Sequence, residues 1–201
     1  MQNRIKIVSD FDDYYDLGFC EDGIEYRRLL SERQGRGKLL TFLKSHGYPV
    51  IEFGQVSNMV DKAEKLVVYL NNGHGPSSKI VCNSSDAFMA YRNYLCTVYS
   101  EGTNGFSMKI VQVGSRRFRV MMQNESGRLE HGKVKSIEEL PRELNKNINI
   151  PIFSIDYIPF GASLVATDFN EVQNLKDIGL DSILTPDDVL REVEIACNRI
   201  I

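Results

Sequence analysis

Apolar positions along this chain recur with two different periods, and the switch between them divides the chain into strands and helices. Arg4 to Val8 alternates polar and apolar residues and is rich in Ile and Val, so it predicts a strand that delivers Ser9 to Asp16 at its C-terminal end. Ile24 to Arg33 and Lys38 to Ser45 carry apolar residues at helical spacing, with Gly35 and Gly37 between them and Gly47 after the second, which predicts two short helices. Pro49 to Phe53, Lys65 to Leu70 and Lys79 to Cys82 predict further strands, the last two joined by a turn-rich loop from Asn71 to Ser78. Asp86 to Leu95 reads as a helix capped by Ser84 or Ser85.

The later half is richer in strands. Phe106 to Gln123 predicts a hairpin that turns at Gly114-Ser115-Arg116, with apolar side chains alternating along both arms. Ile150 to Tyr157 and Leu164 to Asp168 predict two late strands, separated by the turn signal Ile158-Pro159-Phe160-Gly161. Thr185, Pro186, Asp187 and Asp188 supply an N-cap, a proline at the first helical position and negative charge at the positive end of a helix dipole. Val189, Val193, Ala196 and Ile200 follow at helical spacing, which predicts an amphipathic helix from Pro186 to Arg199. No repeat or linker interrupts the pattern. The expected fold is α/β or α+β: one domain over residues 1–201, a mixed sheet with an antiparallel hairpin, and flanking helices.

Composition narrows the class. With 201 residues, 42% hydrophobic and 25% charged, the chain has ordinary globular usage and enough length for a substantial core. Its apolar runs, such as Leu66 to Leu70, fall far short of the ~20 residues a membrane-spanning helix needs, and the start of the chain lacks a signal-peptide core. A cytoplasmic location is expected. The net charge of −3 makes duplex DNA a poor candidate partner, because phosphate contacts call for a basic excess. Cys20, Cys82, Cys96 and Cys197 are scattered, as are His46, His74 and His131, so reduced thiols and no structural metal are expected.

Three places could carry chemistry. Ser9 to Asp16 places four carboxylates, Asp10, Asp12, Asp13 and Asp16, beside Tyr14 and Tyr15 at a strand end. Carboxylates this close repel one another, and that invites a cation or acid–base use. Asp10 and Asp12 resemble the D-x-D of haloacid-dehalogenase-type phosphatases, although Tyr14 stands where that family has a small residue. The plainer reading is a solvated acidic turn whose tyrosines pack inward. Gly35-Arg36-Gly37-Lys38 sets glycines beside basic groups, but without the spacing of a nucleotide-binding loop, and an exposed, solvated connection between helices is the expected role. Arg116 and Arg117 in the hairpin turn offer forked donors suited to phosphate or carboxylate, or serve solubility alone.

The N-terminal Ser9-x-Phe11-x-Asp13-Tyr14-Tyr15-Asp16, followed by Tyr26-x-Arg28, resembles an uncharacterised family of tailed bacteriophages and large DNA viruses. Val113-Gly114-Ser115 matches the placement of a Cys-Gly-Lys-type turn in that family while lacking its Cys and Lys, and Pro151-Ile152-Phe153 and Asn174 to Gly179 match its later segments. The resemblance implies a phage accessory protein working in the host cytoplasm, with no established activity attached.

The functional expectation is a binder of a nucleotide-like or other anionic small molecule that sequesters a host defence signal. Its ligand residues would be Asp13, Tyr14, Tyr15, Asp16, Tyr26, Arg28, Arg116 and Arg117. No cofactor is required by that reading. The alternatives are a Mg²⁺-dependent enzyme on nucleotides or sugar phosphates using Asp10, Asp12 and Asp13, and an inhibitor that binds a host protein.

Overall fold

The computed structural model describes residues 6–9, 17–21, 24–71, 78–100, 105–123, 132–143, 148, 152–170, 175–176 and 178–200; for 6–9, 17–21, 24–34, 186 and 197–200 it describes the backbone. A small antiparallel sheet opens the chain, formed by β1 (Lys6–Ser9), β2 (Leu17–Glu21) and β3 (Ile24–Glu25). Helix α1 (Tyr26–Ser45) follows. The two helices expected here meet directly at a kink within α1, where Gly35 leaves helical geometry at φ 58°, ψ 157°. That backbone conformation is open to essentially no residue but glycine.

The second sheet contains β4 (Phe53–Gln55), β5 (Lys65–Tyr69), β6 (Lys79–Asn83) and β7 (Leu95–Val98), in the order β4-β7-β5-β6. Helix α2 (Ser84–Tyr91) connects β6 to β7. It is shorter than the helix predicted from Asp86 to Leu95, since Leu95 begins a strand that pairs with both β4 and β5. Its N-cap position is Asn83, not Ser84 or Ser85. The strand expected from Pro49 to Phe53 starts later, and Val50 makes an isolated parallel bridge to Ala166 instead.

The third sheet has five strands in the order β10-β9-β8-β11-β12. The predicted hairpin is β8 (Phe106–Val113) with β9 (Arg116–Gln123), and the late pair is β11 (Ile152–Phe160) with β12 (Ser163–Asn170). The edge strand β10 (Lys133–Leu140) was not legible in the apolar pattern: only Val134, Ile137 and Leu140 interrupt a polar, charged run. Pro159 sits inside β11 and pairs with Leu164, so the turn comes later, at Gly161 with φ 59°. Helix α3 (Pro186–Ile200) closes the described chain. Every ladder named here is antiparallel, so the α and β elements combine as an α+β fold with flanking helices.

Both faces of the five-stranded sheet are covered. One face buries Val111, Val113, Phe118, Val120, Met122 and Ile152 against Val189 and Val193 of α3 and against Leu175, Ile178, Leu180 and Leu184. The opposite face buries Phe153, Ile155, Tyr157 and Phe169 against Leu39 and Leu43 of α1. Alternation along β11 explains the split, since successive side chains point to opposite faces. A third core lies within the four-stranded sheet and reaches Ile158 and Val165 of the five-stranded one. Backbone bonds from Ile51 N–H to the Ala166 carbonyl and from Ala166 N–H to the Pro49 carbonyl tie the two sheets together (3.0 and 2.7 Å). The side chain of Cys96 is buried, which pushes its thiol pKa up to about 11 and keeps it protonated and unreactive.

Candidate functional site

Four charged side chains interrupt the apolar interior near the seam between these two sheets. Lys109 on β8 and Asp156 on β11 are register partners, and their side chains form an ion pair of 2.6 Å with 4% and 12% exposure. Asp168 on β12 is the register partner of Asp156, which puts the two carboxylates side by side on neighbouring strands. Arg36 of α1 reaches Asp168 at 2.9 Å and donates to the Thr167 carbonyl at 3.2 Å. Its guanidinium also lies 4.7 Å from the ring centroid of Tyr69, on β5 of the four-stranded sheet. Arg36 therefore bridges the two sheets.

A bulge creates this arrangement. Asp156 pairs with Asp168 while the next residue, Tyr157, pairs with Ala166, so Thr167 is the extra residue of β12. Without it, Ala166 and Asp168, two apart, would share a face. With it, Ala166 turns into the α1 core and Asp168 joins Asp156. Bulges re-aim side chains in this way and are enriched next to active sites. Asn170 completes the edge, its carboxamide donating to Asp156 Oδ2 at 3.4 Å, and the Phe169 N–H donates to Asp168 Oδ1 at 3.0 Å.

The electrostatics follow from burial. Burial opposes the Arg36 charge, but the attraction of Asp168, Tyr69 and Asp156 together outweighs that cost and raises its pKa above the ordinary arginine value. Burial likewise raises the Tyr69 phenol, against the opposing influence of Arg36, so Tyr69 stays neutral; its hydroxyl lies 3.4 Å from Thr97 Oγ1. Charges taken out of water cost several kcal/mol each unless paired, and exchanging such pairs for apolar residues is often neutral or stabilising. Two pairs at one seam are therefore a functional-site candidate on physical grounds.

Of the site residues expected from sequence, only Arg116 and Arg117 have described side chains, and both fall elsewhere. Asp10, Asp12, Asp13, Tyr14, Tyr15 and Asp16 lie outside the described residues, and Tyr26 and Arg28 lie in the first turn of α1, where the backbone alone is described. Arg116 makes a bidentate contact with Glu139 of β10 (2.8 and 2.7 Å), which raises the arginine pKa and lowers that of the carboxylate. Arg117 bonds Glu143 at 2.7 Å, and Arg119 pairs with Glu138. As neighbours in one strand, Arg116 and Arg117 point to opposite faces, Arg116 to the side of Phe118. The hairpin guanidiniums thus have carboxylate partners within the protein. Arg36, expected as part of a solvated connection, is instead largely enclosed at the sheet seam.

Sequence reading passed over Lys109, Asp156 and Asn170 and took Asp168 only as a strand end. The available signal was a lone charge inside an apolar strand: Met108-Lys109-Ile110-Val111 and Ile155-Asp156-Tyr157-Ile158. A charge in such a strand needs a partner, and two strands carrying opposite charges at mid-length are natural register partners.

No protein-family model and no curated protein sequence matches the chain. Solved structures do match, and they share the ATP-grasp architecture. The ATP-grasp ligase PsnB, complexed with a phosphomimetic variant of its minimal precursor, Mg and ADP, aligns at TM-score 0.55 and 8% identity, over 83% of this chain and 62% of that one. Carboxyaminoimidazole ribonucleotide synthase from Aspergillus clavatus, complexed with ATP, aligns at TM-score 0.52 and 12% identity, over 80% of this chain and 51% of that one. The macrocyclase MdnC from Microcystis aeruginosa, bound with precursor peptide MdnA, aligns at TM-score 0.50 and 11% identity, over 84% of this chain and 62% of that one. The likeness is one of fold, and the chain spans between half and two thirds of the length of these proteins. No helix among the described residues is long and apolar enough to cross a membrane.

Proposed function

We propose that this protein binds a nucleoside triphosphate together with Mg²⁺ at the seam between its four- and five-stranded sheets. The observation that carries the reading is the pairing of Asp156 with Asp168 across neighbouring strands, with Lys109 and Arg36 alongside. The solved structures of like fold that hold Mg with ADP, or ATP, support it.

The donor set fits the cation. Mg²⁺ takes oxygen ligands and is usually held by one or two carboxylates plus substrate phosphates and water. Among the described residues no three His, Cys, Asp or Glu side chains gather as a metal site, so the set is Asp156 and Asp168 with the Asn170 carboxamide. When bound, the cation would neutralise phosphate charge. Lys109 and Arg36 are the cationic groups available to the phosphates themselves, Arg36 as a fork and Lys109 as a point charge.

Lys109 also favours a second reading, phosphoryl transfer, since a buried ammonium beside the phosphates stabilises charge that develops during transfer. In the phage setting suggested by the N-terminal motif, binding without turnover would instead sequester a host signal. One experiment separates them: native mass spectrometry of the full chain with ATP, with and without Mg²⁺, for the natural protein and for Asp156→Asn and Asp168→Asn. Retention of ATP that depends on Mg²⁺ and drops at least about tenfold in both variants is the expected result. ADP production marks an enzyme and its absence a binder. Equal ATP retention by all three proteins would sink the site.

A further inference from the structure

Arg36 stands at a break in its own helix. The residue before it, Gly35, holds φ 58°, ψ 157°, so the chain leaves helical geometry one residue ahead of the guanidinium. The helix beyond the break packs Leu39 and Leu43 into the core under β11 and β12. Arg36 itself is spent on three partners at once: the Asp168 carboxylate, the Thr167 carbonyl at the bulge, and the face of Tyr69 across the seam.

Asp168 is also one of the two carboxylates assigned to the cation. A guanidinium 2.9 Å from Asp168 Oδ2 and a divalent cation on the same carboxylate repel one another, and in a partly buried setting that repulsion is weakly screened. Lys109 sits closer still to its carboxylate, 2.6 Å from Asp156, but strand register fixes its backbone beside β11. Arg36 comes from a separate element, joined through a glycine break, and its other contacts are a carbonyl and a ring that it can leave without stranding a charge.

We infer that Arg36 is a built-in counter-cation that holds Asp168 and latches the two sheets while the site is empty, and that a divalent cation must displace it. Occupancy by the cation and the Arg36 latch are then mutually exclusive, so cation binding loosens the few residues beside Gly35 and frees the guanidinium to meet phosphate. Rotation of the long Arg36 side chain lets that happen without unpacking Leu39 and Leu43. This inference rests on the proposed cation role of Asp156 and Asp168.

The test uses Mn²⁺ alone, without nucleotide, followed by the loss of the free-ion paramagnetic signal on adding the full chain. Arg36→Gln removes the competing charge and should bind Mn²⁺ about tenfold more tightly than the natural protein, with Arg36→Lys, which keeps the charge, staying near the natural value. Equal or weaker binding by Arg36→Gln overturns the latch and leaves the cation site standing. Absence of Mn²⁺ binding in the natural protein and in Arg36→Gln overturns the latch and the cation site together. If Arg36→Gln fails to fold, hydrogen exchange on the natural protein decides: amides of residues 35–38, beside the break, should exchange faster with Mg²⁺ than without, and unchanged exchange overturns the latch.

Discussion

Asp156 and Asp168 are direct partners across β11 and β12, and each carboxylate is held by a cation from a different element, Lys109 of β8 and Arg36 of α1. The consequence is a locally neutral group of four charges at the seam where the four- and five-stranded sheets meet. An apolar quartet would fold at least as well, because desolvation offsets most of the Coulomb attraction inside a protein. Such a cluster sets the seam apart from the hairpin turn, whose arginines pair with more exposed carboxylates.

Removing one cation tests how buried that cluster is. Lys109→Met takes the cation from Asp156 while keeping the length of the side chain, and it should cost about 3–5 kcal/mol in urea unfolding. The double variant Lys109→Met with Asp156→Leu should recover most of that loss, since no unpaired buried charge is left behind. A single variant as stable as the natural protein would mean that water reaches the pair.

The hairpin turn supplies a second test, remote from the seam. Glu192 of α3 is 1% exposed and accepts from the Ser115 N–H (3.1 Å), the Ser115 hydroxyl (2.7 Å) and Arg142 (3.1 Å). Its backbone lies so close to Gly114 that an added Cβ would collide with the Glu192 carbonyl, and Gly114 itself has φ 57°. Gly114→Ala should therefore destabilise by about 2–4 kcal/mol, through backbone strain and the collision together. Thermal unfolding measures it, and an unchanged Tm would show that α3 does not press on the turn.

Legibility differed between fold and site for a physical reason. Periodicity reports which side chains are buried, and it located β8, β9, β11, β12 and α3 because each has at least one continuous apolar face. It missed β10, an edge strand whose Glu138 and Glu139 spend their charge on Arg119 and Arg116 across the ladder. Leu95 was drawn into a predicted helix by its spacing from Phe88 and Tyr91, though pairing with Gln55 makes it a strand residue. The site was less legible still. Its residues come from α1, β8, β11 and β12, and they meet through strand register and one bulge, neither of which a linear pattern encodes. Clustered charges such as Asp10 to Asp16 drew attention because they adjoin in sequence, whereas the seam carboxylates, Asp156 and Asp168, adjoin only in space.

The start of α3 is a capping box that can be tested alone. Asp188 N–H donates to Thr185 Oγ1 at 3.2 Å, while the Thr185 N–H and hydroxyl donate to Asp188 Oδ2 at 3.1 and 2.7 Å. Those bonds hold the Asp188 carboxyl below the usual aspartate pKa. Thr185→Ala should cost about 1 kcal/mol, the ordinary worth of a cap, and Thr185→Ser should cost less. Equal unfolding midpoints for all three proteins would show the cap to be idle.

At the alkaline end, stability should follow Tyr157. Burial on the α1 side of β11, reinforced by the neighbouring Tyr48 and opposed by Arg117, pushes its phenol up to about 12 from the ordinary value of 10.0. Because the folded value lies above the unfolded one, the folded state keeps its proton where the unfolded state has lost it. The contribution is complete below pH 10 and is lost as pH rises from there toward 12, with a full size of about 2–3 kcal/mol. Tyr69 is shifted in the same direction by burial, so Tyr157→Phe should flatten the alkaline decline in part and leave a remainder that Tyr69→Phe reduces further. Urea midpoints measured at intervals between pH 8 and pH 11.5 check this. A Tyr157→Phe profile parallel to that of the natural protein would show that the phenol ionises as readily in the folded chain as in the unfolded one, and so that β11 is open to water where it packs on α1.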